Sequence, residues 1–145
     1  MNQIIMKLKI KRLSSNIPLP SYAHQDDAGL DLLAAEEVTL EPGQRVQIAS
    51  GLAIEIPAGY AGLIWDKSGL SHKYGMKILG GVVDSNYRGE VKVGMVNLSQ
   101  QEQTFKVGDK VAQLLIQSVV TAEIEETEEL SDTSRGAGGF GSTGR

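Results

Sequence analysis

Apolar residues in this chain recur mostly at every second position, the period of a half-buried strand. Leu8 and Ile10 alternate with Lys7, Lys9 and Lys11, so Ile4–Ile10 predicts a strand with one wet face. Val46 and Ile48 stand against Gln47 in a second strand that ends near Ser50-Gly51. Leu52–Ile56 alternates again as a third. Tyr60–Trp65 is a further short strand, and Val91–Leu98 another, with Val91, Val93 and Met95 on one side. Val111–Val119 is a nearly continuous apolar run, the pattern of a strand buried on both faces or lying at a subunit contact. Glu41-Pro42-Gly43, Pro57-Ala58-Gly59 and Val107-Gly108-Asp109 read as turns, and Ser14–Tyr22, with Pro18 and Pro20, as extended loop. Only Ser68–Tyr74 reads as helix, with Ser68 as its N-cap and Gly75 as its stop. Strand-sized runs between closely spaced turn signals predict an all-β sandwich or barrel carrying one short helix.

Gly80–Val91 is the most unusual stretch. Two glycines lead into Val82-Val83, then one carboxylate (Asp84), a Ser85-Asn86 turn, Tyr87, and a strand starting at Val91. This pattern predicts a β-hairpin with a polar tip. Its glycines let a ligand approach the backbone, its main chain can read the edge of a flat polar ring, Tyr87 offers a face for a sugar, and Asp84 offers a base.

Composition narrows the field. The chain has 145 residues, enough for one domain with a real core, and at 5% aromatic that core must rest on Val, Ile and Leu. A net charge of −4 argues against a grip on nucleic-acid phosphates. Without cysteine there is neither a disulfide framework nor a thiolate metal site, and His24 and His72 are too few and too far apart for a structural zinc. No apolar run approaches membrane length, and Met1–Leu13 lacks the apolar core of a signal peptide, so a cytoplasmic protein is expected. Ala122–Leu130 carries five glutamates and reads as a solvated edge. Ser131–Arg145 turns glycine-rich and reads as a flexible arm on a domain of residues 1–130.

Four other segments carry candidate chemistry. Asp31 lies in the apolar stretch Ala28–Ala35, where a carboxylate must be paired with a cation, hydrogen-bonded, or used to hold water on a metal. Lys67, Ser68 and Gly69 place a cation, a hydroxyl and a flexible backbone at the start of the helix, a combination suited to an anion. Gln113 stands among apolar strand residues and either faces water or finds a partner such as phosphate. Arg135, Phe140 and the glycines around them, Gly141 included, form either a linker or a lid for a flat anionic ligand.

Together these stretches resemble the five ordered motifs of the homotrimeric dUTPases. The matching runs are Ala-Gly-Leu-Asp-Leu at 28–32, Lys-Ser-Gly-Leu at 67–70, Gly-Val-Val-Asp-Ser-Asn-Tyr-Arg-Gly at 81–89, Gly-Asp-Lys-Val-Ala-Gln-Leu at 108–114 and Arg-Gly-Ala-Gly-Gly-Phe-Gly-Ser-Thr-Gly at 135–144. The resemblance implies a distorted β-barrel or jelly-roll-like protomer. It implies a homotrimer with sites at the subunit boundaries, arms crossing to a neighbour, and hydrolysis of dUTP to dUMP and pyrophosphate. By the same resemblance Asp84 holds the attacking water and Tyr87 lies under the deoxyribose. Main chain around Gly81, Val82 and Val83 reads uracil, and Lys92 contacts the nucleotide through backbone. Lys67, Ser68, Gly69 and Gln113 take phosphate, Arg135 takes the γ-phosphate, Phe140 covers uracil with Gly141 beside it, and Asp31 reaches Mg2+ through water. Three positions depart from the family pattern: Lys67 and Lys110 stand for usual arginines, and Ile78 stands where many bacterial members carry asparagine. A dCTP deaminase of the same fold and a non-catalytic nucleotide-sensing module are the alternatives. Tyr87 and the Phe140 arm weigh against the first, and retention of Asp84 against the second.

Overall fold

The structure, a computed structural model, describes residues 6–145. In chain order its elements are β1 (Lys9–Arg12), β2 (Leu30–Leu33), β3 (Val38–Leu40), β4 (Arg45–Glu55), β5 (Tyr60–Trp65), α1 (Ser68–Tyr74), β6 (Met76–Ile78), β7 (Val82–Val83), β8 (Glu90–Asn97), β9 (Gln103–Phe105) and β10 (Lys110–Ser118). One antiparallel sheet runs β1-β4-β8-β6, a second runs β2-β10-β5-β7, and β3 pairs with β9 as a separate ribbon. The all-β, jelly-roll-like expectation with one helix therefore holds, although the sheets do not close into a continuous barrel.

Alternation explains the core. In β8, Val91, Val93 and Met95 are buried with Asn97, while the residues between them turn outward. They meet Ile48, Leu52 and Ile54 of β4, and across the core Leu30 and Leu32 of β2 with Ala112 and Leu114 of β10. The two strands expected on either side of Gly51 are one strand. Gly51, at φ +71°, bends β4 without ending it, and the register against β8 slips between Ala49 and Ala53. Ser50-Gly51 is thus a bulge signal rather than a stop. The first strand is placed later than expected, at Lys9–Arg12, and Ile4 and Ile5 lie outside the described residues. Only the first half of β10 is buried on both faces, the half that also pairs with β2.

The largest departure concerns Gly80–Val91. Its two arms do not pair with each other: β7 pairs with β5, while β8 pairs with β4 and β6. The glycines are the reason. Leu79 N–H still bonds Gly94 O in the first sheet, yet Gly81 O already accepts from Ile64 N–H in the second. Gly80 and Gly81 make that crossing at φ +66° and +140°. The expected turn does form, with Tyr87 N–H on Asp84 O at 3.1 Å, and it bridges two sheets.

Asn97 fastens the β3–β9 ribbon to this frame. It is fully buried, donates from Nδ2 to Leu40 O (3.0 Å) and Gln101 O (2.7 Å), and accepts at Oδ1 from Ser99 N–H and Oγ. Asn97→Ala would strand several buried groups at once. A loss of about 2–4 kcal/mol is expected in urea unfolding, read as a lower midpoint at unchanged slope.

Candidate active site

Where the chain crosses between sheets it leaves a cleft of about 260 Å³. Gly81, Val82, Val83, Asp84, Tyr87 and Lys92 all line it, so six sequence-nominated residues converge there. Among the described residues the Asp84 carboxylate has no hydrogen-bond or ion-pair partner, and Asp84 is exposed in the cleft that Tyr87 also lines. Tyr87 is held firmly: its hydroxyl donates to Glu90 O at 2.8 Å. A Cβ on Gly89 would lie 2.5 Å from that hydroxyl, so the ring fits only because residue 89 is glycine. Arg88 pins the turn by donating from Nη1 to Ser85 O at 2.7 Å. The Glu90 carboxylate accepts Gly51 N–H at 2.9 Å, tying the turn to the bulge in β4. Gln47 and Glu90 also line the cleft. Sequence reasoning missed both, because nothing in a strand pattern says which wet-face residue a distant turn will cover.

A second cluster forms at the far end of the β2-β10-β5 sheet. Gln113 lies in register with Asp31 on one side and Trp65 on the other. Asp31 is 6% exposed, and both its oxygens are taken: Lys67 Nζ pairs with Oδ1, and Lys110 Nζ lies 3.1 Å from Oδ2. Burial works against ionisation of this carboxyl, but hydrogen bonds from the two lysines outweigh it and hold Asp31 below the usual aspartate range. Gln113 is half-buried and donates from Nε2 to Asp66 O at 2.8 Å. Its Oε1 occupies the space that a Cβ on Gly29 would enter, 2.0 Å away, so Gly29 makes room for this rotamer. Ser68 is not the helix cap. Lys67 takes the N-cap position, with no side-chain cap bond, and Ser68 is the first helical residue. Gly75 ends the helix in the left-handed conformation, as expected. Nothing approaches the space a side chain on Gly69 would fill.

The two clusters are apart in one protomer. Asp84 follows Val83, which pairs with Gly62, whereas Gln113 pairs with Trp65. Two strand spacings across and four residues along put their backbones about 16 Å apart. The arm lines neither cluster. Arg135 Nε donates to Gly138 O at 2.6 Å within a local turn, and Phe140 is fully exposed, followed by Gly141 at φ +95°.

The Asp31 pair sets a pH dependence. Its carboxyl titrates lower in the folded chain than in the unfolded one, so the stability it contributes is present above the ordinary aspartate value of about 3.9 and is lost as pH falls through the lower folded value. Asp31→Asn, which leaves Lys67 and Lys110 facing each other without a counter-charge, is expected to be clearly less stable at pH 7. The gap to wild type should narrow as pH falls below the ordinary aspartate value, as followed by thermal unfolding from pH 7 into acid.

A family model described as dUTPase matches residues 15–144. The deoxyuridine 5'-triphosphate nucleotidohydrolase of Nautilia profundicola is 49% identical over 142 residues, covering 97% of this chain and 100% of the relative. That of Thermobifida fusca is 47% identical over 142 residues, covering 96% of this chain and 79% of the relative. Among solved structures, the Staphylococcus bacteriophage 80alpha dUTPase with dUpNHpp gives a TM-score of 0.87 at 31% identity, covering 96% of this chain and 99% of that one. A mutant dUTPase from phage phi11 of S. aureus, described with a coordinated structural Mg(II) ion, gives 0.83 at 29% identity, covering 88% and 100%. With a family model over almost all of its length and a relative that it matches end to end, the chain belongs to the dUTPase family.

Proposed function

We propose that this chain is a dUTP diphosphatase that hydrolyses dUTP to dUMP and pyrophosphate by attack of water on the α-phosphorus. The observation that carries the reading is the uncommitted Asp84 carboxylate in a cleft with Tyr87 and the Gly81–Val83 main chain. Water is a weak nucleophile, and a positioned carboxylate orients it and takes its proton as the phosphorus–oxygen bond forms. Tyr87, fixed by Glu90 O and Gly89, packs under the deoxyribose and leaves no room for a 2′-hydroxyl. Fixed backbone donors and acceptors at Gly81, Val82 and Val83 pair with uracil, and Lys92 adds a contact through its backbone. Cytosine exchanges a donor for an acceptor and would leave buried polar groups unpaired, which discriminates strongly. The product dUMP is what thymidylate synthesis consumes, so the reaction lowers dUTP and supplies that precursor, in the cytoplasm.

Lys67, Ser68, Gly69 and Gln113 take the phosphates, and Arg135, Phe140 and Gly141 close over the nucleotide from the arm. In one protomer the arm lines neither cluster, and a homotrimer in which neighbouring copies complete each site would bring the arm, Asp84 and Gln113 to one nucleotide. Among the described residues no three carboxylates, histidines or cysteines gather into a metal cage. Asp31 is a single buried carboxylate with a lysine on each oxygen; it would face Mg2+ through that ion's water shell only once the triphosphate draws the lysines away and supplies the ion's other oxygens. Bound there, the ion would offset charge on the pyrophosphate leaving group.

Asp84→Asn should bind nucleotide with wild-type affinity and lose about 10²–10⁴-fold in kcat, the usual range for a general base. Near wild-type pyrophosphate release would overturn the assignment. Removing residues 134–145 should leave the sheets folded and the enzyme nearly inactive, because lid closure completes the site. Normal dUTP turnover by the truncated chain would show that the arm plays no part.

A further inference from the structure

Asp66 sits between β5 and α1, next to Lys67, and no motif singles it out. Its three acceptor atoms tie it to two other strands, β6 and β10. The main-chain oxygen accepts Gln113 Nε2 at 2.8 Å. Oδ2 accepts Ile78 N–H at 3.0 Å, and Oδ1 accepts Lys77 Nζ at 2.7 Å. The Ile78 bond is made to an edge. Leu79 N–H points inward to Gly94 O, so strand alternation turns Ile78 N–H away from β8 and out of the sheet. Asp66 satisfies a donor that the outer strand of the first sheet leaves over, and does so from a residue anchored in the second.

The helix that follows packs Leu70 alone against the core and ends in the Gly75 cap. It is seven residues long, buries none of them fully, and its N-cap makes no side-chain bond. Besides the Lys67 pair with Asp31 and the packing of Leu70, the bonds of Asp66 tie the corner carrying Lys67 and Ser68 to both sheets. The carboxylate is suited to this. Burial pushes its carboxyl up, while the Lys77 and Ile78 hydrogen bonds bring it below the usual aspartate range and keep it ionised.

We propose that Asp66 is the positioning residue of the phosphate-binding corner, holding Lys67, Ser68 and Gln113 in one arrangement through its bonds to Ile78 N–H and Gln113. It touches no substrate. The inference rests on the proposed reading of those three as phosphate ligands, and it adds a specific division: loss of Asp66 weakens the grip on the phosphate chain and spares the nucleoside.

The test compares two ligands by calorimetric titration, dUpNHpp and dUMP. Asp66→Ala should lose roughly tenfold or more in affinity for dUpNHpp, the size of a charge-assisted bond, while dUMP binding stays within about twofold. Asp66→Asn keeps an oxygen facing Ile78 N–H and should return dUpNHpp affinity to within about threefold of wild type. Equal losses on both ligands in Asp66→Ala, which mark a general structural defect, overturn the proposal, and so does unchanged dUpNHpp affinity. Should Asp66→Ala not fold, the double variant Asp66→Asn/Lys77→Met removes the ion pair and keeps the main-chain bond. Retained dUpNHpp affinity there supports the proposal, and a tenfold loss overturns it. Wild-type turnover of dUTP in the same preparation tests the underlying reading on its own.

Discussion

The passage of the chain from one sheet to the other at Gly80–Gly81 is the constraint on which the rest of the structure depends. A Cβ on Gly81 would lie 2.6 Å from that of Ile64, so the two backbones approach as closely as they do only without a side chain. Because the crossing happens there, Val82 and Val83 become the outer strand of the second sheet, and the Asp84–Tyr87 turn spans the gap. The cleft is that gap. The same crossing sets the distance to the second cluster. β7 runs antiparallel to β5, so each step toward Asp84 is a step away from Trp65, where Gln113 and Asp31 lie in register.

Most of the fold was legible where one face of a strand is buried, since burial then writes a period of two into the sequence. β5 and α1 coincide with their expected spans, and β8 shows Val91, Val93 and Met95 inward as expected. What failed did so at glycines. A glycine marks an unusual backbone angle, but whether that angle ends a strand, bends it or moves it to another sheet depends on partners far away in sequence. Gly51 was read as an end and is a bulge. Gly80 and Gly81 were read as the entry to a hairpin and are a crossing between sheets. The three-residue strands β3, β6 and β9 are too short to carry a period at all.

Several candidate site residues stood out for another reason. Each of these is a polar side chain where the pattern calls for an apolar one, or a glycine where it calls for none. Asp31 is the clearest case, a carboxylate within Leu30–Leu33. Its two open readings, paired with cations or holding metal-bound water, are not exclusive. The structure pairs it with Lys67 and Lys110, the two positions where the chain departs from the arginines usual in its family. Gln47, Glu90, Gly29 and Asp66 carried no such signal. Their roles come from what the fold brings against them, and a single sequence does not record that.

One buried carboxylate between a half-buried lysine and an exposed one leaves a local charge of plus one. Taking one lysine away leaves a matched pair, whereas taking the carboxylate away leaves two cations without a partner. On the proposed reading an arriving triphosphate would change the balance. Phosphate oxygens would replace the carboxylate as partners for Lys67 and Lys110, and Asp31 would then be free to face a hydrated cation that the phosphates bring with them. A lysine suits this exchange better than an arginine does, because its ammonium is a point charge on a flexible stem and gives up no bidentate geometry in turning from one anion to another. On this view the two departures from the family's usual arginines are matched to each other through the acid they share, and the corner beneath them has to be held by something other than the lysines. The bonds that Asp66 accepts, at Oδ2 from Ile78 N–H and at its main-chain oxygen from Gln113 Nε2, depend on neither lysine.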